Sequence, residues 1–188
     1  MSKKSGLNEK IILGVDPGTI VLGYGLILIK ENKVSLMQYG VIRLAKYTGS
    51  ALKLSKIFQR VIQLIDEYKP DEMAIESPFY GKNVQSMLKL GRAQGVAIAA
   101  ALSRQIPVVE YEPKKVKQSV TGNGNASKEQ VSAMIGQLLN IKNKDADQLP
   151  DATDALAVAL CHYYKKNALS GKSKDWSTFV RENPDRIR

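Results

Sequence analysis

Apolar positions along the chain follow two periods, and the period changes several times. "IILGVD" (11–16) is an unbroken apolar run that ends on an acid, and it predicts a short buried strand. "LGYGLILI" (22–29) and "KVSLMQYGVIRL" (33–44) predict two more strands, joined by a hairpin turn at the polar "KEN". From 51 to 68 the spacing becomes helical. Leu54, Ile57, Phe58, Val61, Ile62, Ile65 and Tyr68 share a face, and Pro70 stops the helix. "EMAIE" (72–76) predicts a strand that again ends on an acid. Residues 83–103 predict a helix rich in small residues, and "IPVVEY" (106–111) a further strand. "SKEQVSAMIGQLLN" places Val131, Met134, Ile135, Leu138 and Leu139 on one helical face. Ser127 and Gln130 there form a capping box. A last helix opens near Pro150, a residue suited to a first turn, and runs to about Tyr164.

Strands that alternate with helices predict an α/β fold, with a mixed five-stranded sheet flanked by helices. The first three strands form an antiparallel meander, and the later two run parallel to the first. Sites in such sheets lie beyond the carboxyl ends of the parallel strands, where Asp16 and Glu76 stand. The domain is expected over 11–165, with a flexible N-terminal tail at 1–10 and a basic, mobile C-terminal tail at 166–188.

Composition narrows the partners. With 28 Lys and Arg against 18 Asp and Glu, the chain carries a formal charge of +10, which points to a polyanion such as nucleic acid. No stretch approaches the roughly 20 apolar residues of a membrane span, so no membrane partner is expected. The N-terminal "MSKKSGLNEK" lacks the apolar core of a signal peptide, and the expected location is the cytoplasm. Cys161 is the sole cysteine, which excludes an internal disulfide. His162 is the sole histidine, so any metal site must be built from carboxylates, and oxygen donors favour Mg²⁺ or Mn²⁺.

The acids carry the candidate chemistry. A charge at the end of a buried strand is costly unless it is paired. Asp151 and Asp154, in "LPDATDALAVALCHYY", stand three apart on a helix whose other residues look packed. An acid in a first helical turn needs no function, because the helix dipole favours it. Four carboxylates that converge would repel one another and call for cations between them. Such a group describes a two-metal phosphoryl-transfer site.

Four stretches then carry a resemblance: "ILGVDPGTIVLGYG", "MAIESPFYGKNVQSMLKLGRAQGVAIAAA", "PVVEYEPKKVKQSVTGNGNASKEQV" and "DATDALAVALCH". Over roughly residues 11–163 the chain resembles the RuvC family. These are Holliday-junction resolvases of the RNase H-like (retroviral integrase) superfamily. The resemblance implies Mg²⁺ or Mn²⁺, two ions per site, on Asp16, Glu76, Asp151 and Asp154. It puts a base-wedging aromatic at Phe79 and DNA-contacting lysines at Lys117 and Lys128. It also implies a homodimer that nicks two strands of a four-way DNA junction symmetrically, with the branch-migration proteins RuvA and RuvB as partners. "LGRAQG" reverses an Arg/Gln pair usual in that family, so Arg92 and Gln94 receive no role.

Several features carry bland alternatives. For Phe79 the alternative to stacking on a base is a loop aromatic folded onto the core. Lys114, Lys115, Lys117 and Lys128 surround a Gly-rich loop and are candidate phosphate contacts, although lysine runs are usually solvated. Gly91, Gly95 and Ala99 form a small-residue seam that packs either on the sheet or on a second copy. Cys161 and His162 are taken as plain helix residues. Three competing functions stand beside the resolvase: an actin-like ATPase, for which the chain is too short; a non-catalytic junction-binding module, which four retained acids oppose; and an RNase H-like nuclease acting on RNA–DNA hybrids, which shares the chemistry.

Overall fold

The computed structural model describes residues 9–78, 83–141 and 149–170, the last three by backbone alone. Strands β1 (Lys10–Asp16), β2 (Val21–Lys30) and β3 (Lys33–Arg43) form the antiparallel meander. Its hairpin turns on Glu31 and Asn32, both at positive φ (51° and 62°), the geometry of a tight two-residue turn. β4 (Glu72–Glu76) runs parallel to β1, and β5 (Val108–Tyr111) parallel to β4. The sheet has five strands in the order β3-β2-β1-β4-β5, as the pattern predicts.

Strand alternation assigns the two faces. Leu13, Val15, Met73 and Ile75 point to one face, under α1 (Ser50–Tyr68) and α2 (Val84–Ser103). Ile12, Ile27 and Ala74 point to the other, under α3 (Pro113–Thr121), α4 (Lys128–Leu139) and α5 (Pro150–Ser170). α1 ends at Lys69 in the left-handed conformation just before Pro70, and the Ser127–Gln130 capping box opens α4. Among the expected core positions, Phe58 and Leu138 are exposed instead, each at 39%. Leu64, one residue off the expected face, is buried.

Two departures concern extent. α3 is a helix in a stretch to which the periodicity assigns no element; Pro113 begins it and Gly122, at φ 76°, ends it. α5 runs to Ser170, past the expected end near Tyr164. Lys166, expected in the tail, lies on this helix and pairs with Glu72.

α5 lies directly on the sheet because the strands beneath it are bare. A Cβ on Gly14 would stand 2.1 Å from the Ala155 carbonyl oxygen, and one on Gly23 would stand 1.9 Å from that of Asp151. Ala152, Ala155, Ala157 and Ala159 keep the helix side equally slim, and all are buried.

His162 has more contacts than a plain helix residue. Its Nε2 is 2.5 Å from Glu72 Oε2, and its Nδ1 is 2.8 Å from the Tyr111 hydroxyl. Lys10 Nζ lies 2.6 Å from the same Glu72 oxygen. Burial opposes the charge on Glu72, yet Lys10, Lys166 and His162 hold its carboxyl down at about 2. This network ties the starts of β1 and β4 to α5, and Tyr111 reaches it from the end of β5, where it pairs with Glu76. No helix among the described residues is long and apolar enough to cross a membrane.

Candidate active site

Asp16 is the last residue of β1 and Glu76 the last of β4. The strands are parallel neighbours with Val15 opposite Ile75, so the two acids end side by side at one sheet edge. Each lies two residues beyond a position that packs under α5, Gly14 in β1 and Ala74 in β4, and so shares that face. Asp154, in the second turn of α5, joins them in a cleft also lined by Lys117, Lys128, Val116 and Val131. Asp151 stands a turn earlier. Its backbone rests on Gly23, the residue paired with Asp16 across β1 and β2. Asp151 does not line the cleft, but its charge reaches Asp16.

The electrostatics are those of carboxylates held together against repulsion. Burial, then the charges of Glu76, Asp154 and Asp151, push Asp16 up to about 8, while Lys128 opposes the shift. Burial and Asp154 push Glu76 up to about 7, with Lys128 and Lys117 opposing. Lys128 Nζ sits 2.8 Å from Asp154 Oδ2. Lys117 Nζ donates to the Ala126 carbonyl at 2.8 Å, which ties α3 to the turn before α4. Among the described residues, no three acidic, His or Cys side chains are drawn tightly enough to ring a single ion. The donor set nonetheless fits hard divalent cations: the donors are all oxygen and partly buried, and at Asp16 and Glu76 burial and then the neighbouring acids push the pKa up.

Sequence comparison assigns the chain to a family. The family model described as crossover junction endodeoxyribonuclease RuvC matches residues 12–162. This chain belongs to the RuvC family. A RuvC of Cytophaga hutchinsonii is 62% identical over 180 residues, covering 96% of this chain and 89% of that protein. The RuvC of Porphyromonas gingivalis is 56% identical and covers 96% and 98%. Among solved structures, Thermus thermophilus RuvC in complex with a Holliday junction substrate has a TM-score of 0.76 at 30% identity, covering 84% of this chain and 94% of that one. A further structure of Thermus thermophilus RuvC gives a TM-score of 0.73 at 29% identity.

Within this RuvC-family fold, Asp16, Glu76, Asp154, Lys117 and Lys128 come together, and Asp151 acts at short range. Lys115 instead pairs with Glu112 at 2.9 Å, away from the cleft. Lys114 lies against Gly124 of the Gly-rich turn and does not line the cleft either. Phe79 lies outside the described residues. The seam of Gly91, Gly95 and Ala99 does not pack on the sheet: no atom lies within 4 Å of a Cβ placed on either glycine. The sheet-facing positions of α2 are Ala93, Gln94, Ala97, Ala100 and Ala101.

Two features of the site escaped sequence reasoning. Gln94 Nε2 donates to Glu110 Oε2 at 2.6 Å and lies 3.5 Å from the Glu76 carbonyl oxygen, linking α2 to the ends of β4 and β5. Nothing in the local pattern marks that role. Gly14 and Gly23, which admit α5, carried a usable signal, since glycine within a strand often marks close backbone approach.

Proposed function

We propose that this chain resolves four-way DNA junctions by hydrolysing one phosphodiester in each of two symmetry-related strands. It does so as a homodimer, with Asp16, Glu76, Asp151 and Asp154 holding two Mg²⁺ ions that Mn²⁺ can replace. The observation that carries this reading is the cluster of partly buried, mutually repelling carboxylates at the sheet's carboxyl edge, faced by Lys117 and Lys128. Divalent cations held there would lower the pKa of an attacking water and stabilise the departing 3′ oxygen. The charges of Glu76, Asp154 and Asp151 all reach Asp16, which would help to hold both ions. Lys117 and Lys128 offer ammonium groups to the DNA backbone. Phe79 stacks on a base unpaired at the crossover, the role that family membership suggests for it, and Lys114 and Lys115 extend the basic surface. RuvA and RuvB are the further partners implied by the family.

The dimer is supported by an unpartnered stripe on α2. Val84 (65% exposed) and Leu88 (60%) continue through Gly91 and Gly95 to Leu102 (57%) at helical spacing. A two-fold dimer would give each nick its own site.

The test is incubation with a synthetic four-way junction and Mg²⁺, against an equal-length duplex and an RNA–DNA hybrid. Paired, ligatable nicks confined to the junction support the proposal. Tight binding without cleavage would leave only a binding module. Preferential cutting of the hybrid would make the chain a different nuclease.

A further inference from the structure

The acids and Lys117 and Lys128 occupy the α3–α4–α5 face of the sheet. On the opposite face, a cavity opens between the β1–β2 turn, the start of α1 and α2. Its lining includes Thr19, Tyr47, Lys53, Lys89 and Arg92, and no acid. Lys89 and Arg92 are exposed, and no ion pair involves Lys53, Lys89 or Arg92 among the described residues. Lys53 Nζ donates to the Thr19 carbonyl at 3.3 Å, which holds it over the cavity. At the rim, Lys46 and Lys56 flank the Tyr47 ring at 5.4 and 5.8 Å.

The sequence around this cavity is depleted of acids over a long span. None occurs from Arg43 to Ile65, or from Ser77 to Val109. Unpaired cations that converge without an acid are costly by mutual repulsion, and a polyanion relieves that cost. Position favours the same ligand. Thr19 follows Asp16 by three residues, so the cavity and the acidic cleft lie within about 10 Å of each other. A nucleic-acid strand carries one phosphate per about 3.4 Å of helix axis. A strand with one phosphate in the cleft therefore brings another to this cavity within a few nucleotides.

We propose that Lys53, Lys89 and Arg92 form a second phosphodiester-binding site. It grips the junction strand on the far side of the scissile phosphate from Lys117 and Lys128. This inference rests on the junction-nuclease reading above. Its consequence is register: phosphates held on both faces of the sheet fix which bond reaches Asp16. Lys89 and Arg92 line the cavity together with Lys53, Leu54 and Ile57 of α1. Arg92 stands one turn after Leu88, so the site borders the Val84–Leu88–Gly95 stripe.

The test measures junction binding in Ca²⁺, which withholds cutting, as a function of salt. The variant is Lys53→Ala/Lys89→Ala/Arg92→Ala. Its log–log salt slope should flatten by about two to three units. If the triple variant loses thermal stability, Lys89→Ala/Arg92→Ala, which alters exposed side chains only, should still flatten the slope by about two. A second readout replaces single junction phosphates with neutral methylphosphonates. Wild type should be weakened by substitution at one or more positions a few nucleotides from the cut. The variants should lose that sensitivity alone and keep the sensitivity belonging to Lys117 and Lys128. A wild-type slope and methylphosphonate profile in both variants would overturn the inference, as would a loss of affinity traced by sedimentation to dissociation of the dimer. Wild-type protein with no preference for junction over duplex would instead overturn the junction-nuclease reading itself.

Discussion

Lys128 Nζ stands 2.8 Å from Asp154 Oδ2 and joins the first residue of α4 to the second turn of α5 across the acidic cleft. Lys128 thus sets an ammonium group where the proposed divalent cations would be held. The pair is open to water on the lysine side, at 68% exposure, so its worth is at most about 1 kcal/mol. Removing the ammonium should help a cation to bind. Lys128→Gln is expected to tighten Mn²⁺ binding by up to about fivefold in the absence of DNA, while weakening junction binding. Titration calorimetry checks the first effect, and unchanged or weaker Mn²⁺ binding would count against it.

Asp16 is the acid most enclosed by other charges. Asp16→Asn should reduce cleavage by more than the roughly 10–100-fold typical of losing an outer-shell partner. Junction affinity should be kept or raised, because the change removes a negative charge that faces phosphates. Cleavage and binding measured on the same labelled junction decide this. Near wild-type cutting in Mg²⁺ would remove Asp16 from the mechanism.

The raised carboxyls predict how stability follows pH. Asp16 at about 8 and Glu76 at about 7 hold protons in the folded chain that the unfolded chain releases near about 4. Between these values the folded state binds more protons, so metal-free stability falls as pH rises from about 4 to about 8. Divalent cations favour the ionised form and reverse that loss. Mg²⁺ should therefore raise the thermal midpoint more at about pH 8 than at about pH 5. Asp16→Asn should flatten the metal-free pH dependence. An equal Mg²⁺ effect at both pH values would contradict this account of the cluster.

Gly23 sets the seat of Asp151. A methyl group there would meet the Asp151 carbonyl oxygen at 1.9 Å, so α5 must lift at its N-terminal end. Gly23→Ala is expected to cost about 1–3 kcal/mol of stability and to lower cleavage more than junction binding. Chemical denaturation and a cleavage time course test the two effects. Full activity at wild-type stability would show that α5 has slack.

Gly95 faces open space, so a large side chain there has room within one chain. Gly95→Leu should keep or raise the thermal midpoint, since leucine improves on glycine in a helix by roughly 0.5–1 kcal/mol. If α2 forms the two-fold contact, the same variant should sediment as a monomer and lose paired nicking. A dimer that persists would remove the stripe from the interface.

The element order was legible in the chain because each period reports burial directly. The runs in β1 and β4 are apolar because both faces of a central strand are covered, and each run stops at the edge where an acid can meet solvent or a cation. The capping box at Ser127 and the stop at Pro70 are local chemistry and needed no tertiary information. α3 escaped because lysines and polar residues hide its short apolar face, of which only Val116 and Val120 are buried. Phe58 and Leu138 lie on helical stripes wider than the surface available to cover them.

The chain alone set the strand–helix order, the basic excess, Asp16 and Glu76 at strand ends, and Asp151 and Asp154 in the first two turns of a helix. Each of those follows from local periodicity and residue type. Only the tertiary structure decided that Asp16, Glu76 and Asp154 share a cleft while Asp151 stands back from it. That depends on how deeply α5 sinks onto Gly14 and Gly23. It also decided that Lys128 reaches Asp154 while Lys115 turns to Glu112, and that the α2 glycines face outward. Such outcomes rest on contacts between residues far apart in the chain. Packing and charge select among them only after the sheet has brought those residues together.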